Sequence, residues 1–424
     1  MTGRSKPRLW NILGPGLVTG ASDDDPSGIA TYSQAGAQFG FRLGWVLLLT
    51  YPLMVVVQAI SARIGRTTGR GIAGNLRAHY PNALLQSIVI LLFAANTLNL
   101  GADLAAMGEA SRLIAPHLPE WLLIVFFGIA CTAAQIFLKH TRYVSVLKWL
   151  SLSLFSYFAV LCVVRVPWVD VLRGLVLPTF DRSRDFWMMV AAILGTTISP
   201  YLFFWQASQE VEDTKTHPER EPLQTRPDQG PGALARIRLD TMIGMGFSNL
   251  VALAILVTAG ATIHGHGARP IESAAQAAEA LRPIAGDFAF DLFALGILGT
   301  GLLSVPVLAG SAAYALGEAR HWPVGLARKP HEAKAFYGAI AGATLLGALG
   351  NIASINAVTA LVWAAVINAV VAVPVMCVLM LVASNQKIMG QFVVSPLWRT
   401  LGWIATALMA VAALVFIAMT LLDR

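Results

Sequence analysis

Long apolar runs separated by short polar segments recur along the whole chain. An apolar run of about 20 residues crosses a bilayer as a helix. The runs are continuous and do not alternate with a period of two, which excludes an outer-membrane β-barrel. The pattern predicts an all-α polytopic membrane protein with eleven membrane helices, called spans 1 to 11, at residues 10–38, 41–62, 84–111, 119–138, 144–164, 185–210, 239–263, 288–315, 334–350, 355–383 and 395–421.

Composition and the placement of charge agree with this fold class. Of the 424 residues, 56% are hydrophobic and only 12% are charged, about half the charged share of a soluble domain. The net charge of +7 does not indicate a nucleic-acid partner, because the basic residues lie mostly in short loops between apolar runs. Their bias toward one side predicts a cytoplasmic N-terminus and, with an odd number of spans, an external C-terminus. The chain has no N-glycosylation sequon, which favours a bacterial inner membrane.

The first span contains an acidic interruption. Asp23, Asp24 and Asp25 run directly into Pro26, and Gly28 follows two residues later. Proline removes a backbone donor and glycine tolerates unwound backbone, so the helix is expected to break here. Carboxylates inside a membrane are costly and are functional candidates by default. An unwound segment that adds free carbonyls to a carboxylate is typical of a cation-binding transporter.

The sixth span has a second interruption, in the segment GTTISP that begins at Gly195 and ends at Pro200. Interrupted spans in corresponding positions indicate a transport site between two structural repeats. We therefore predict one membrane transport domain over 1–424, in which spans 1–5 form a first repeat, spans 6–10 an inverted second repeat, and span 11 an addition. The repeats are expected at 10–164 and 185–383, with span 11 at 395–421.

Residues Gly14 to Pro81 resemble the opening of the natural resistance-associated macrophage protein (Nramp) family of proton-coupled divalent metal transporters. In that family a GPG element leads into DPGN and then QAGAQFGY, and this chain has GPG, DPSG and QAGAQFGF. The segments RLDTMIGMGFSNLVA and FALGILGTGLLSVPVLAG are also similar to that family. The resemblance, to a divergent prokaryotic branch, implies the leucine-transporter class of fold, with eleven helices and an ion site between spans 1 and 6.

The resemblance also implies a set of ligands, with several departures from the family pattern. Asp25 stands at the aspartate of DPGN, whereas Gly28 replaces its asparagine. In span 6 the family has A-x-x-M-P-H, in which an alanine carbonyl and a methionine thioether bind metal; here Thr196, Ser199 and Tyr201 stand at the alanine, methionine and histidine. The remaining expected residues are Asp24, Asn368 (one residue out of register with a family glutamine in span 10), and two acids for proton movement in span 3, Asp103 and Glu109.

These departures change the expected cargo. Thioether sulfur favours soft transition metals, whereas oxygen ligands favour magnesium, calcium or manganese. The leading hypothesis is a secondary-active transporter of a divalent cation, Mg²⁺ or Mn²⁺ first, with protons as the candidate coupling ion. The alternative is a small organic solute, an amine or amino acid, for which Gly28 opens space. We expect no enzyme activity, because no nucleophile pair, nucleotide loop or zinc motif is present; nor is a cofactor expected.

Four smaller expectations complete the prediction. The protein is expected to be a monomer or a weak homo-oligomer in the lipid bilayer. The GxxxG spacing of Gly338 and Gly342 predicts close helix packing. Asp240 is expected to lie at the start of the helix of span 7, and the polar segment after span 6 to be a flexible connection.

Overall fold

The chain is helical throughout the part described by its computed structural model, which covers residues 15–138, 155–217, 219–264, 270–278, 286, 289–350 and 356–422. The long helices are joined by short turns and two 3₁₀ segments, Pro227–Gln229 and Gly390–Phe392. In chain order the helices are α1 Pro15–Asp23, α2 Pro26–Phe39, α3 Gly44–Thr68, α4 Ile72–His79, α5 Asn82–Ile114, α6 Glu120–Phe137, α7 Phe155–Val163, α8 Trp168–Val176, α9 Arg184–Thr197, α10 Pro200–Thr216, α11 Gly230–Thr262, α12 Ala274–Ala278, α13 Ala289–Arg320, α14 Lys334–Gly350, α15 Ala357–Ser384, α16 Gln386–Met389 and α17 Pro396–Leu422.

Eight helical segments of the described chain are long and apolar enough to cross a membrane. They are α3, α5, α6, α9 together with α10, α11, α13, α15 and α17. The other three predicted spans do not meet that length within the described residues: span 1 is divided between α1 and α2, span 9 is the 17-residue α14, and only the end of span 5, α7, is described. The membrane-protein class is therefore confirmed, and the count of eleven stays a prediction.

The largest boundary difference concerns span 7. The apolar run predicts a start at residue 239, but α11 begins at Gly230. The first turns of α11, with the sequence GPGALARIR, are polar enough to lie outside the apolar layer and still form helix. The apolar pattern of the sequence predicts only the part of a helix that lies in lipid, whereas the helix itself can extend beyond that part.

The segment after span 6 is packed rather than flexible. Leu223 is fully buried, and its amide donates to the carbonyl of Arg66 at 3.1 Å. Gln229 accepts from the Arg66 guanidinium at 2.8 Å. The expectation of a flexible connection was wrong, because the backbone and side-chain contacts with α3 are invisible in the composition of the segment.

Glycines allow α11 to lie directly against α1. A Cβ atom at Gly20 would lie 2.2 Å from the carbonyl oxygen of Gly244, and one at Gly244 would lie 2.2 Å from the carbonyl oxygen of Gly16. Small residues at such crossings let backbones approach closely in membrane proteins. This contact fixes α1, and with it the acidic end of that helix, against α11.

Asp240 holds the other end of α1. Its Oδ2 accepts from the amide of Gly16 at 2.7 Å, and its Oδ1 accepts from the amide of Leu17 at 3.2 Å. A carboxylate at these otherwise unpaired amides caps the helix. Asp240 was expected at the start of its own helix; it lies ten residues into α11 and instead caps α1.

Candidate functional site at the two helix breaks

The first helix breaks at the predicted aspartates. Helix α1 ends at Asp23 and α2 begins at Pro26, so Asp24 and Asp25 form the connection. Asp25 is the N-cap of α2, with extended backbone at φ −70° and ψ 172°, and its Oδ1 accepts from the amide of Gly28 at 2.7 Å. Proline at the first helical position suits this role, because its missing donor would be unpaired there anyway.

The second carboxylate oxygen of Asp25 is weakly bonded. Its Oδ2 lies 3.4 Å from the hydroxyl of Tyr201 and 3.4 Å from Nδ2 of Asn99. The Tyr201 hydroxyl has a single proton, and its shorter contact is with the carbonyl of Ser22 at 2.9 Å. Asp25 is only 2% exposed. A buried carboxylate normally has close partners, so this oxygen has unused capacity for a cation.

The second break lies in the predicted segment of span 6. Helix α9 ends at Thr197 and α10 begins at Pro200, with Ser199 as the N-cap in extended backbone. The Ser199 hydroxyl lies 2.7 Å from the carbonyl oxygen of Gly195 and 2.8 Å from that of Thr196, to either of which it can donate. The side chain at the methionine position of the family thus contacts the carbonyl at the alanine position.

The two breaks meet at Gly28. A Cβ atom there would lie 3.4 Å from Oγ1 of Thr196 and 3.3 Å from the ring of Tyr32. In this conformation little space is therefore open directly beside Gly28, and its opening for an organic solute stays a prediction. Gly28 and the Thr196 side chain are neighbours across the two breaks.

Asp24 is bound on another side of the break. The hydroxyl of Ser248 in α11 lies 2.6 Å from Oδ2 of Asp23 and 3.3 Å from Oδ1 of Asp24. The other oxygen of each of these two carboxylates has no hydrogen-bond partner in the described structure. Asp23 and Asp24 therefore form a pair on Ser248, while Asp25 points to Tyr201 and Asn99. Within the described ranges, no three His, Cys, Asp or Glu side chains are grouped into a site that could hold a metal ion by such ligands alone.

Asp103 lies beside Asp25. Its Oδ2 accepts from the hydroxyl of Ser304 in α13 at 2.9 Å, and its Oδ1 has no partner among the described residues. The amide of Ser27 interacts with the carboxylates of both Asp25 and Asp103. Both carboxylates therefore lie at the N-terminus of α2 and share its favourable field.

No hydrogen bond among the described residues joins Glu109 or Asn368 to Asp25 or Asp103. The carboxylate of Glu109 accepts from the amide of Ala274 in α12 at 2.8 Å, so it holds a short helix outside the break. Gln34 holds the same segment by accepting from the amide of Ile271 at 2.8 Å. Asn368 is buried in α15, the helix whose Ala365 and Ala369 contact Gly195 of α9.

Sequence reasoning missed three polar partners, Asn99, Ser248 and Ser304. Asn96, Asn99 and Asp103 follow a spacing of three and four residues, which places them on one face of α5. That spacing was a usable signal for Asn99. The two serines carried no such signal, because a lone hydroxyl in an apolar helix commonly bonds to its own backbone.

The family model described as natural resistance-associated macrophage protein-like matches residues 16–419, almost the whole chain. This chain belongs to the Nramp family. Its relatives include the divalent metal cation transporter MntH of Yersinia enterocolitica, 28% identical over 302 residues that cover 70% of each protein. MntH of Chromohalobacter salexigens is 28% identical over 310 residues, covering 70% of this chain and 69% of that protein.

Solved structures share the fold of this Nramp-family chain. The crystal structure of the Eremococcus coleocola manganese transporter, in complex with an aromatic bis-isothiourea substituted compound, gives a TM-score of 0.74 at 16% identity and covers 98% of this chain and 88% of that one. MhsT in complex with L-phenylalanine gives 0.61 at 14% identity and covers 99% of both chains. The resemblance to the Nramp family is confirmed, and relatives named as transporters confirm that the chain is not an enzyme.

Proposed function

We propose that this protein carries a divalent metal cation across the membrane by alternating access, with Asp25 as the central ligand. The observation that carries the proposal is the buried Asp25 carboxylate at the junction of two helix breaks, with one oxygen held by Gly28 and the other only loosely bonded. The curated relatives, named divalent metal cation transporters, support this substrate class.

Oxygen ligands favour a hard cation, Mg²⁺ or Mn²⁺ first. The partners of the loosely bonded Asp25 oxygen are neutral, the Tyr201 hydroxyl and the Asn99 amide nitrogen. The second helix break adds two neutral oxygens as candidate ligands, the Ser199 hydroxyl and the Thr196 carbonyl. Mg²⁺ keeps several waters and needs only one or two carboxylates from the protein. Asp24 and Asn368 would serve as ligands only in another state of the transport cycle, in which their side chains turn toward Asp25.

Proton coupling is proposed through Asp103. It is buried next to Asp25, and one of its oxygens has no partner among the described residues. A proton bound by Asp25 and Asp103 would lower the affinity of Asp25 for a cation. Proton transport and cation transport would thereby be coupled. Glu109 would act in the proton pathway only if it left the amide of Ala274.

The wider architecture belongs to the same proposal. It comprises eleven membrane helices with inverted repeats of five, residence in a bacterial inner membrane, a cytoplasmic N-terminus and an external C-terminus. Each repeat would begin with a broken helix, and in both cases a capping residue precedes a proline at the first helical position. The organic-solute alternative is not favoured, because Tyr32 and Thr196 fill the space at Gly28.

The test is uptake of Mn²⁺ and Mg²⁺ by proteoliposomes that contain the wild-type protein or Asp25→Asn. The variant keeps the size of the side chain and removes its charge, so uptake should fall by about tenfold or more. Asp185→Asn, at an exposed aspartate in the first turn of α9, is the matched control and should transport normally. Unchanged uptake in Asp25→Asn would overturn the proposed site, and the absence of divalent uptake by the wild type would overturn the proposed cargo.

A further inference from the structure

A cavity of about 310 Å³ lies where the last turns of α3 meet the first turns of α11 and α17. None of its lining residues belongs to the two helix breaks. Helix α3 contributes Ile60 and Arg63 near its last turn, α11 contributes Leu234 and Arg238 before its apolar run, and the start of α17 contributes Trp398. The arginines and the tryptophan therefore surround one space at the boundary between apolar and polar parts of these helices. Such a position is typical of side chains at the bilayer interface.

The cavity is positively charged and contains no described acid. Arg63 donates from Nε to the carbonyl of Phe392 at 2.9 Å and from Nη2 to that of Val393 at 3.0 Å, which leaves Nη1 without a partner among the described residues. Arg238 is exposed and has no ion pair or hydrogen bond in the described ranges. Ser395 adds a hydroxyl at the start of α17, where the first-turn amides add positive potential.

Apolar surface continues from the cavity toward the middle of the membrane. Met242, one helical turn beyond Arg238 on the same face of α11, is 43% exposed, and Leu239 is 42% exposed. Ile60 and Leu234 line the cavity wall. A ligand that fits this surface has an anionic head for the arginines and long apolar chains for the helix face.

We propose that this cavity binds the headgroup of an anionic phospholipid. Arginine forms bidentate hydrogen bonds with phosphate, and basic pockets between membrane helices suit anionic headgroups. The phosphodiester lies between Arg63 and Arg238, with the Ser395 hydroxyl beside it, and the acyl chains follow the exposed face of α11. The site is separate from the ion site, since none of its lining residues contacts Asp25.

The experiment is native mass spectrometry of the full-length protein in detergent with added phosphatidylglycerol or phosphatidylcholine. The wild type should retain phosphatidylglycerol about tenfold better than phosphatidylcholine, and Arg238→Gln should lose about that factor, since one charge-assisted contact to phosphate is of that size. Arg63→Gln should act in the same direction. Because Arg63 also holds two carbonyls, its variant is compared only if its melting temperature matches that of the wild type.

The matched control is Arg328→Gln. Arg328 is exposed and donates from Nε to a backbone carbonyl, that of Val324 at 3.2 Å, but it lies outside the cavity. It should retain phosphatidylglycerol as the wild type does. Equal retention of the two lipids, or full retention by Arg238→Gln, would overturn the proposal. Displacement of phosphatidylglycerol by millimolar glycerol phosphate would also overturn it, because the site would then bind a soluble anion.

Discussion

Ser199 is the residue at which this chain departs most clearly from the metal-binding pattern of its family. The family thioether is soft, whereas a serine hydroxyl is a hard oxygen that also bonds to neighbouring carbonyls. In this conformation the hydroxyl lies 2.8 Å from the carbonyl of Thr196, so a donated proton there lowers the availability of that carbonyl as a ligand. One substitution therefore affects both the softness of the site and the state of an adjacent ligand.

We predict that Ser199→Met shifts selectivity toward soft cations. The ratio of Cd²⁺ to Mg²⁺ affinity should rise by about tenfold or more, because a thioether replaces an oxygen and removes the donor shared by the Gly195 and Thr196 carbonyls. The measurement is isothermal titration calorimetry with each ion on purified protein. Ser199→Ala also removes the donor but adds no sulfur, so it should leave the ratio near the wild-type value. An unchanged ratio in Ser199→Met would show that residue 199 does not face the ion.

At the scale of elements, close glycine contacts fix the position of α1 against α11. The spacing of glycines in the sequence does not by itself show which glycines make such contacts. Gly20 of α1 has no room for a Cβ atom against Gly244. Gly338 and Gly342 have the GxxxG spacing, yet nothing lies within 4 Å of a Cβ atom at either position in the described structure. Among the described residues the predicted close packing is not found there, because the motif reports small residues on one face and not what that face contacts.

We predict that Gly20→Ala separates α1 from α11 and weakens transport. The new Cβ would lie 2.2 Å from the Gly244 carbonyl, so backbone must shift, at a stability cost of about 1–3 kcal/mol. Gly342→Ala is the matched control in an open helix position and should be neutral or slightly stabilising. Melting temperature in detergent and Mn²⁺ uptake are measured for both variants. Equal melting temperatures would contradict the tight α1–α11 contact.

For the whole molecule, local sequence predicted the breaks but not the partners across them. Proline and glycine after three aspartates, and the segment GTTISP, were sufficient for both breaks because they act on their own backbone. The partners of the acids come from distant elements: Asn99 and Tyr201 reach Asp25 from α5 and α10, and Ser248 reaches Asp23 from α11. These contacts depend on how the helices pack against one another, and that packing cannot be inferred from the residue pattern of a single sequence.

The packing also separates the two acids predicted for proton movement. Asp103 lies beside Asp25 and Ser304, whereas Glu109, six residues later in α5, holds the amide of Ala274. Coupling, if it passes through span 3, therefore depends on Asp103 in this arrangement.

We predict that Asp103→Asn uncouples metal uptake from the proton gradient. The amide keeps a carbonyl oxygen for Ser304 but cannot release or accept a proton, so Mn²⁺ uptake should lose most of its stimulation by an inward proton gradient. Glu109→Gln can still accept from Ala274 and should keep the gradient response. Uptake into proteoliposomes is measured with the same external pH and internal pH either equal or higher. Stimulation retained in Asp103→Asn but lost in Glu109→Gln would assign the proton step to Glu109, and stimulation retained in both would place it outside span 3.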